Sequence, residues 1–211
     1  MKNAAKHADE LRSLIRKQTK EHKPPPRQKQ EPIRALVRAA LSFDLPDSKA
    51  DDAMKVIDRE FVDLNELRVA TNLEVQELLG PRYPQIEKRV ALITQALNAT
   101  FEREHTLNFD RLATISKKDV RTFLRELPDM HPFVEAYVML YGFEGNAMPI
   151  DDLMLGYLKE EEVVEPATTL DEAQKFVEHY FKAEEYHDLF FVIREAALGA
   201  AADEGKKKRK K

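Results

Sequence analysis

Residues 127–151 read Leu-Pro-Asp-Met-His-Pro-Phe-Val-Glu-Ala-Tyr-Val-Met-Leu-Tyr-Gly-Phe-Glu-Gly-Asn-Ala-Met-Pro-Ile-Asp, and this stretch decides the fold. We expect one helix to end at Leu127 and a second helix to begin at Pro132, where the missing N–H of proline costs nothing. Apolar side chains then recur with the spacing of one buried helix face, at Phe133, Ala136, Tyr137, Leu140 and Tyr141. The stretch therefore predicts a helix-hairpin-helix whose second helix packs inward.

The rest of the chain between residues 31 and 200 is also predicted to be helical, because no segment shows sustained strand alternation. Thr71 and Glu74 form a capping box, and Ser48 is the expected N-cap of an earlier helix. The last helix is predicted to run from Tyr186 to about Ala200. The resulting fold class is all-α.

Charge divides the sequence into three parts. Residues 1–30 carry nine Lys or Arg against three acids, and a Pro-rich linker follows the single helix predicted there. Residues 31–200 carry 19 basic and 33 acidic residues, a formal charge of −14, and are the predicted helical domain. The N-terminal part is either a disordered basic tail or a DNA-binding arm.

The third part, residues 201–211, is a Lys-rich tail that is too uniform to pack and is predicted to be disordered and solvated. Such a run contacts phosphates or other anionic partners, or acts as a nuclear address in a eukaryote. Its six consecutive cations are Lys206, Lys207, Lys208, Arg209, Lys210 and Lys211.

Composition also limits the chemistry and the compartment. The chain has no cysteine, so disulfides, thiolate metal ligands and cysteine nucleophiles are excluded, and its six histidines lack the spacing of a metal site. The N-terminus has no apolar signal-peptide segment, and no stretch has the length and hydropathy of a membrane span. We expect an intracellular protein, either cytoplasmic or nucleoid-associated, and nuclear if the source is a eukaryote.

The hairpin resembles that of the endonuclease III-like (HhH-GPD) DNA glycosylases, in which a Leu-Pro-Gly-Val-Gly-type turn precedes a catalytic lysine and, further on, a catalytic aspartate. Leu127 and Pro128 match the start of that turn, and Asp151 matches the aspartate at the separation of 24 positions found in the family. The likeness covers most of residues 31–200. It implies the helical HhH-GPD fold and a phosphate-binding hairpin made by Leu127, Pro128, Asp129, Met130 and His131.

Several family residues are replaced in this chain. Asp129 and His131 stand where the hairpin has glycines, and Phe133 stands at the position of the catalytic lysine. Asp44 aligns with the loop glutamine that fills the gap left by a flipped base, and is expected to be a loop residue or a local cap. The four cysteines that hold an iron–sulfur cluster in many family members are missing, so no cofactor is expected.

Two hypotheses about function follow. The first is a divergent base-excision-repair protein that binds double-stranded DNA largely through its basic termini, with at most monofunctional glycosylase activity through Asp151. No lysine-dependent lyase step is expected, because Phe133 has no nucleophile. The second is a catalytically inactive glycosylase-fold scaffold for protein partners that the sequence does not identify, in which Asp151 caps the helix that follows it.

Overall fold

The computed structural model describes residues 4–209, with side chains through residue 203. Short 3₁₀ turns occur at Leu112–Thr114 and Ala183–Glu185, and a π-helical segment at Val138–Gly142 continues the hairpin's second helix. The α-helices are α1 (Ala4–Gln18), α2 (Pro32–Ser42), α3 (Asp47–Glu60), α4 (Leu64–Val69), α5 (Asn72–Leu79), α6 (Ile86–Glu104), α7 (Lys117–Arg125), α8 (Pro132–Tyr137), α9 (Asp152–Glu160), α10 (Leu170–Tyr180) and α11 (Tyr186–Arg209).

The predicted all-helical class and the hairpin are confirmed over the described residues. α8 begins at Pro132, and the capping box of Thr71 and Glu74 begins α5. Two boundaries differ from the prediction. α7 ends two residues before Leu127, and α3 begins at Asp47 without a side-chain cap, so Ser48 lies inside the helix.

Helix α2 is the centre of the packing. Most of its side chains are buried, and it contacts α3, α6, α8 and the π-helical segment. α4 and α5 pack against α6, while α9 packs against α10 and α11. The hairpin and the end of α2 therefore lie between two groups of helices, one formed by α3–α6 and one by α9–α11.

The N-terminal helix packs onto the body of the protein. Leu11 and Leu14 of α1 are buried, and the helix contacts α10 and α11. Nη2 of Arg12 donates to the carbonyl oxygen of Tyr180 at 2.7 Å. The interpretation of residues 1–30 as a disordered tail is therefore wrong for the described part, because the apolar face of α1 has a surface to bury against.

The Pro-rich linker also follows the surface of the body. Nε2 of His187 donates to the carbonyl oxygen of Pro25 at 2.7 Å, and the guanidinium of Arg27 donates to the carbonyl oxygen of Leu140. These bonds attach the linker to the buried ring of His187 and to the π-helical segment. Both α1 and the linker therefore contact residues 31–200, although their composition differs from that of the body.

The last helix is longer than predicted. α11 continues past Ala200 to Arg209 and so includes most of the segment that we expected to be disordered. Ala201, Ala202 and the lysines are good helix formers, which is consistent with this extension. Lys210 and Lys211 lie outside the described residues.

Within residues 4–209, the structure contains no helix that combines the length and the apolar character of a membrane span.

Leu11→Ala tests whether α1 belongs to the folded body. The side chain of Leu11 is fully buried, so its truncation should lower the free energy of unfolding by about 2–5 kcal/mol. Ser13→Ala on the exposed side of the same helix should change it by less than about 0.5 kcal/mol. Urea unfolding of both variants measures the difference, and equal stabilities would show that α1 is not docked in solution.

Candidate functional site

The hairpin keeps its turn although it lacks glycine. Asp129 has a φ of +50°, in the left-handed region that favours glycine and that aspartate tolerates better than most residues. The N–H of Met130 donates to the carbonyl oxygen of Leu127 at 3.3 Å and closes the turn. The backbone thus adopts a tight turn, with a carboxylate at the position of a family glycine.

His131 caps α8 with its own ring. Its Nδ1 accepts a hydrogen bond of 3.2 Å from the N–H of Phe133. The ring stacks on Phe43 with the centroids 4.4 Å apart and the planes 4° from parallel. Burial, together with the nearby charge of Lys88, lowers the pKa of His131, so the neutral ring is favoured. The Phe133 amide at this helix N-terminus is therefore already bonded within the protein.

Phe133 fills the position that holds the lysine in the resembled family. Its side chain is fully buried, and its ring lies 5.9 Å from that of Tyr137 and 6.0 Å from that of Phe190. The guanidinium of Arg194 lies 5.3 Å from the centroid of the Phe133 ring. This position is therefore part of the hydrophobic core.

Asp151 is fully buried, and both of its carboxylate oxygens have partners. Oδ1 accepts from the N–H of Met154 at 2.9 Å, which confirms the predicted N-cap of α9. Oδ2 accepts from the N–H of Asp44 at 2.9 Å and from Nη1 of Arg194 at 2.8 Å. The carboxylate is thus neutralised by a buried guanidinium and held by two backbone amides.

Arg194 on α11 is the residue that sequence reasoning missed. Besides Asp151, it donates through Nε to Asp47 at 3.0 Å, and through Nη2 to the carbonyl oxygens of Ser42 at 2.6 Å and Leu45 at 2.7 Å. Only 1% of its surface is exposed. Its sequence signal is a single cation within the apolar run of α11, which indicates a buried charge that needs a partner.

Asp44 and the start of α9 are joined by two hydrogen bonds between a carboxylate and a backbone N–H. It has a φ of +56°, and its Oδ1 accepts from the N–H of Leu153 at 3.0 Å while its own N–H donates to Asp151. This matches the expected loop residue or local cap. Burial and the negative charge of Asp151 raise the pKa of the Asp44 carboxyl above its ordinary value of 3.8.

A second buried arginine holds the same loop from the other side. Arg89 on α6 donates to the carbonyl oxygens of Pro84, Ala40 and Phe43 at 2.8, 2.9 and 2.7 Å. Its guanidinium lies 3.8 Å from the centroid of the Phe43 ring. Residues 43–47 are thereby fixed between two guanidinium groups.

Several cations of the body that could contact DNA form ion pairs or hydrogen bonds within the protein. Arg121 pairs with Glu135 at 2.7 Å and with Glu178 at 3.0 Å. Lys117 donates to the carbonyl oxygen of Phe143, Lys55 pairs with Asp52 at 2.9 Å, and Arg89 is buried. Arg82, Lys88 and Lys118 are exposed and have no described ion pair.

The predicted tail site lies largely outside the described side chains. Lys206, Lys207, Lys208 and Arg209 belong to the end of α11, where side chains are not described, and Lys210 and Lys211 lie beyond it. Among the described residues, no three His, Asp or Glu side chains are grouped as metal ligands.

Comparison with solved structures identifies the fold. A trapped endonuclease III–DNA covalent intermediate matches with a TM-score of 0.68 and 13% identity over 88% of this chain and 84% of that chain. H. pylori 3-methyladenine DNA glycosylase bound to 1,N6-ethenoadenine matches with a TM-score of 0.69 and 14% identity over 92% of this chain and 98% of that chain. The predicted endonuclease III-like, HhH-GPD glycosylase fold is thus confirmed.

A third similar structure is Clostridium acetobutylicum 8-oxoguanine glycosylase/lyase in complex with DNA, with a TM-score of 0.69 and 16% identity over 92% of this chain and 71% of that chain. No protein-family model matches the sequence, and no curated protein is similar to it in sequence. At these identities the likeness establishes the fold of this chain.

Arg194→Met tests the ion pair at the centre of the site. The variant leaves the Asp151 charge buried without its cation and should lower the free energy of unfolding by about 3–5 kcal/mol. Arg34→Met is the matched control, because the pair of Arg34 with Asp58 is about half exposed and should contribute less than about 1 kcal/mol. Urea unfolding that gave the two variants similar stabilities would contradict the assigned role.

The double variant Asp151→Asn, Arg194→Met should lose less free energy of unfolding than the two single variants lose together. The difference should be about 0.5–3 kcal/mol, because the two residues interact. Strict additivity would show that the two residues do not interact.

Asp44→Asn should change the dependence of stability on pH. A carboxyl whose pKa is raised by folding opposes folding when it is ionised, so the wild type loses stability as the pH rises above 3.8 through the raised pKa. Asparagine keeps the backbone bonds and tolerates the positive φ, and should make the protein more stable than wild type at pH 7. The greater stability of Asp44→Asn should disappear below pH 3.8. Urea unfolding at pH 7 and below pH 3.8 measures this. A constant difference across this range would contradict the shift.

Proposed function

We propose that this chain is a DNA-binding protein of the glycosylase fold in which Asp151 stabilises the fold and does not excise bases. The observation that carries the proposal is the state of the Asp151 carboxylate. It is fully buried, ion-paired to Arg194, and bonded to the amides of Met154 and Asp44.

The chemistry of base excision explains why this state matters. Cleavage of a glycosidic bond passes through a cationic sugar, which a carboxylate stabilises when it lies beside the reacting carbon. The charge of Asp151 already interacts with a guanidinium at 2.8 Å, and aromatic side chains occupy the adjoining space. Phe133 supplies no nucleophile for a covalent sugar intermediate. Monofunctional excision through Asp151 would require this network to open.

Affinity for DNA is supported by cations on α1 and the linker. Arg16, Lys17, Lys20 and Lys23 are exposed and form no ion pair with another described residue. Docking of α1 fixes the first two at the helix C-terminus, and Lys20 and Lys23 follow within six residues. Together with the cations of residues 206–211, they supply the electrostatic, sequence-independent part of DNA binding. Endonuclease III and the clostridial 8-oxoguanine glycosylase/lyase, which share the fold, were solved with DNA.

A second candidate function is a scaffold for protein partners. Its support is the formal charge of −14 between residues 31 and 200, together with the intramolecular contacts of Lys55, Arg89, Lys117 and Arg121. A net negative charge on these residues disfavours the approach of phosphates.

An excision assay tests whether the protein releases bases from DNA through Asp151. The full chain is incubated with duplexes that contain 8-oxoguanine, 1,N6-ethenoadenine or mispaired thymine, and base release is compared with that of Asp151→Asn. We expect equal background release from both proteins and no covalent adduct with abasic DNA after borohydride reduction. Release by the wild type that is lost in Asp151→Asn would establish monofunctional excision and overturn the proposal.

A salt series tests the contribution of α1 to DNA binding. Binding of the full chain to intact and abasic duplexes should be equal and should weaken steeply with salt. Replacing Lys17, Lys20 and Lys23 by alanine should reduce the slope of log K against log salt by about 3, close to one unit for each lost phosphate contact. Replacing the engaged Lys55 by alanine is the control and should leave the slope unchanged. No binding at low salt would favour the scaffold function.

A further inference from the structure

An open groove with both apolar and acidic lining residues lies between the end of α3, helix α4 and helix α5. Its volume is about 380 Å³. The apolar part of its lining consists of Phe61, Val69, Ala70 and Leu78. Val69, one of these lining residues, is 65% exposed. Covering this surface would gain free energy by removing apolar area from water.

The rim of the groove carries one sign of charge. Glu60, Glu66 and Glu74 are the charged residues of the lining, and no Lys or Arg belongs to it. Each carboxylate uses one oxygen within the protein: Glu66 accepts from the N–H of Val62, Glu74 accepts from Thr71, and Glu60 accepts from Arg59. The other oxygen of each has no described partner and is available to an external cation.

The groove is separate from the site described above, because none of its lining residues belongs to the network of Asp151, Arg194 and Asp44. Its chemistry is also distinct, since a carboxylate rim repels nucleic acid. A ligand for this surface must combine apolar side chains for the floor with cations for the rim.

We propose that this groove binds a basic amphipathic helix of a protein partner. Apolar side chains at i, i+3 or i+4, and i+7 of such a helix would cover Phe61, Val69 and Leu78. Lysines or arginines that flank this stripe would reach the carboxylates of Glu60, Glu66 and Glu74. The formal charge of −14 on residues 31–200 would speed the approach of a cationic partner. The proposal is independent of DNA binding.

A designed peptide tests the proposal with the full chain. The probe is a fluorescein-labelled helix of about 15 residues with leucines at the stated spacing and lysines elsewhere. We expect saturable binding by fluorescence anisotropy. Val69→Arg should weaken it at least about tenfold, because it adds a cation to the lining of the groove. Val62→Arg is the matched control, since Val62 is 92% exposed, lies outside the lining and carries the same change of charge.

Specificity is tested with a second peptide in which glutamates replace the lysines and which should not bind. The proposal is overturned if the wild type does not bind the basic peptide, or if Val62→Arg and Val69→Arg weaken binding equally. It is also overturned if sedimentation shows a dimer that Val69→Arg dissociates, because the groove would then hold a second copy of this chain. DNA affinity measured on the same variants separates this outcome from failure of the proposed function.

Discussion

The ion pair between Arg194 and Asp151 connects three segments that are far apart in the sequence. One guanidinium contacts the loop after α2 through Ser42 and Leu45, and the start of α9 through Asp151. A buried charge without such partners costs several kcal/mol, so the arrangement forms only when all three segments are in place. Arg194 therefore connects α11 to the start of α9 and to the loop after α2.

Under the proposed function, the same interaction explains how a glycosylase fold would keep its architecture without base excision. An aspartate at the start of α9 serves the helix as an N-cap whether or not it also acts on a sugar. In this chain, Arg194 neutralises Asp151, Phe133 adds an apolar ring, and His131 stacks on Phe43. Each of these contacts adds stability to the fold around Asp151.

Local sequence patterns predicted the parts of the fold that depend on neighbouring residues. The capping box of Thr71 and Glu74, the start of α8 at Pro132 and the N-cap by Asp151 all involve residues a few positions apart. The comparison of hairpin spacing then led to the correct fold. By contrast, the partners of Arg194 lie more than 40 positions away, and no local rule distinguishes a buried arginine from an exposed one. The basic composition of residues 1–30 likewise hid the apolar face of Leu11 and Leu14, which decides where α1 lies.

Hydrogen exchange at the amides of Asp44 and Met154 measures most directly whether the Asp151 carboxylate is closed off. Both N–H groups donate to it, so its network must open before either amide can exchange with water. We expect both amides to be strongly protected and to remain so in the presence of excess abasic duplex. Rapid exchange, or protection lost when the duplex is added, would show that the network opens toward DNA and would contradict a purely structural role for Asp151.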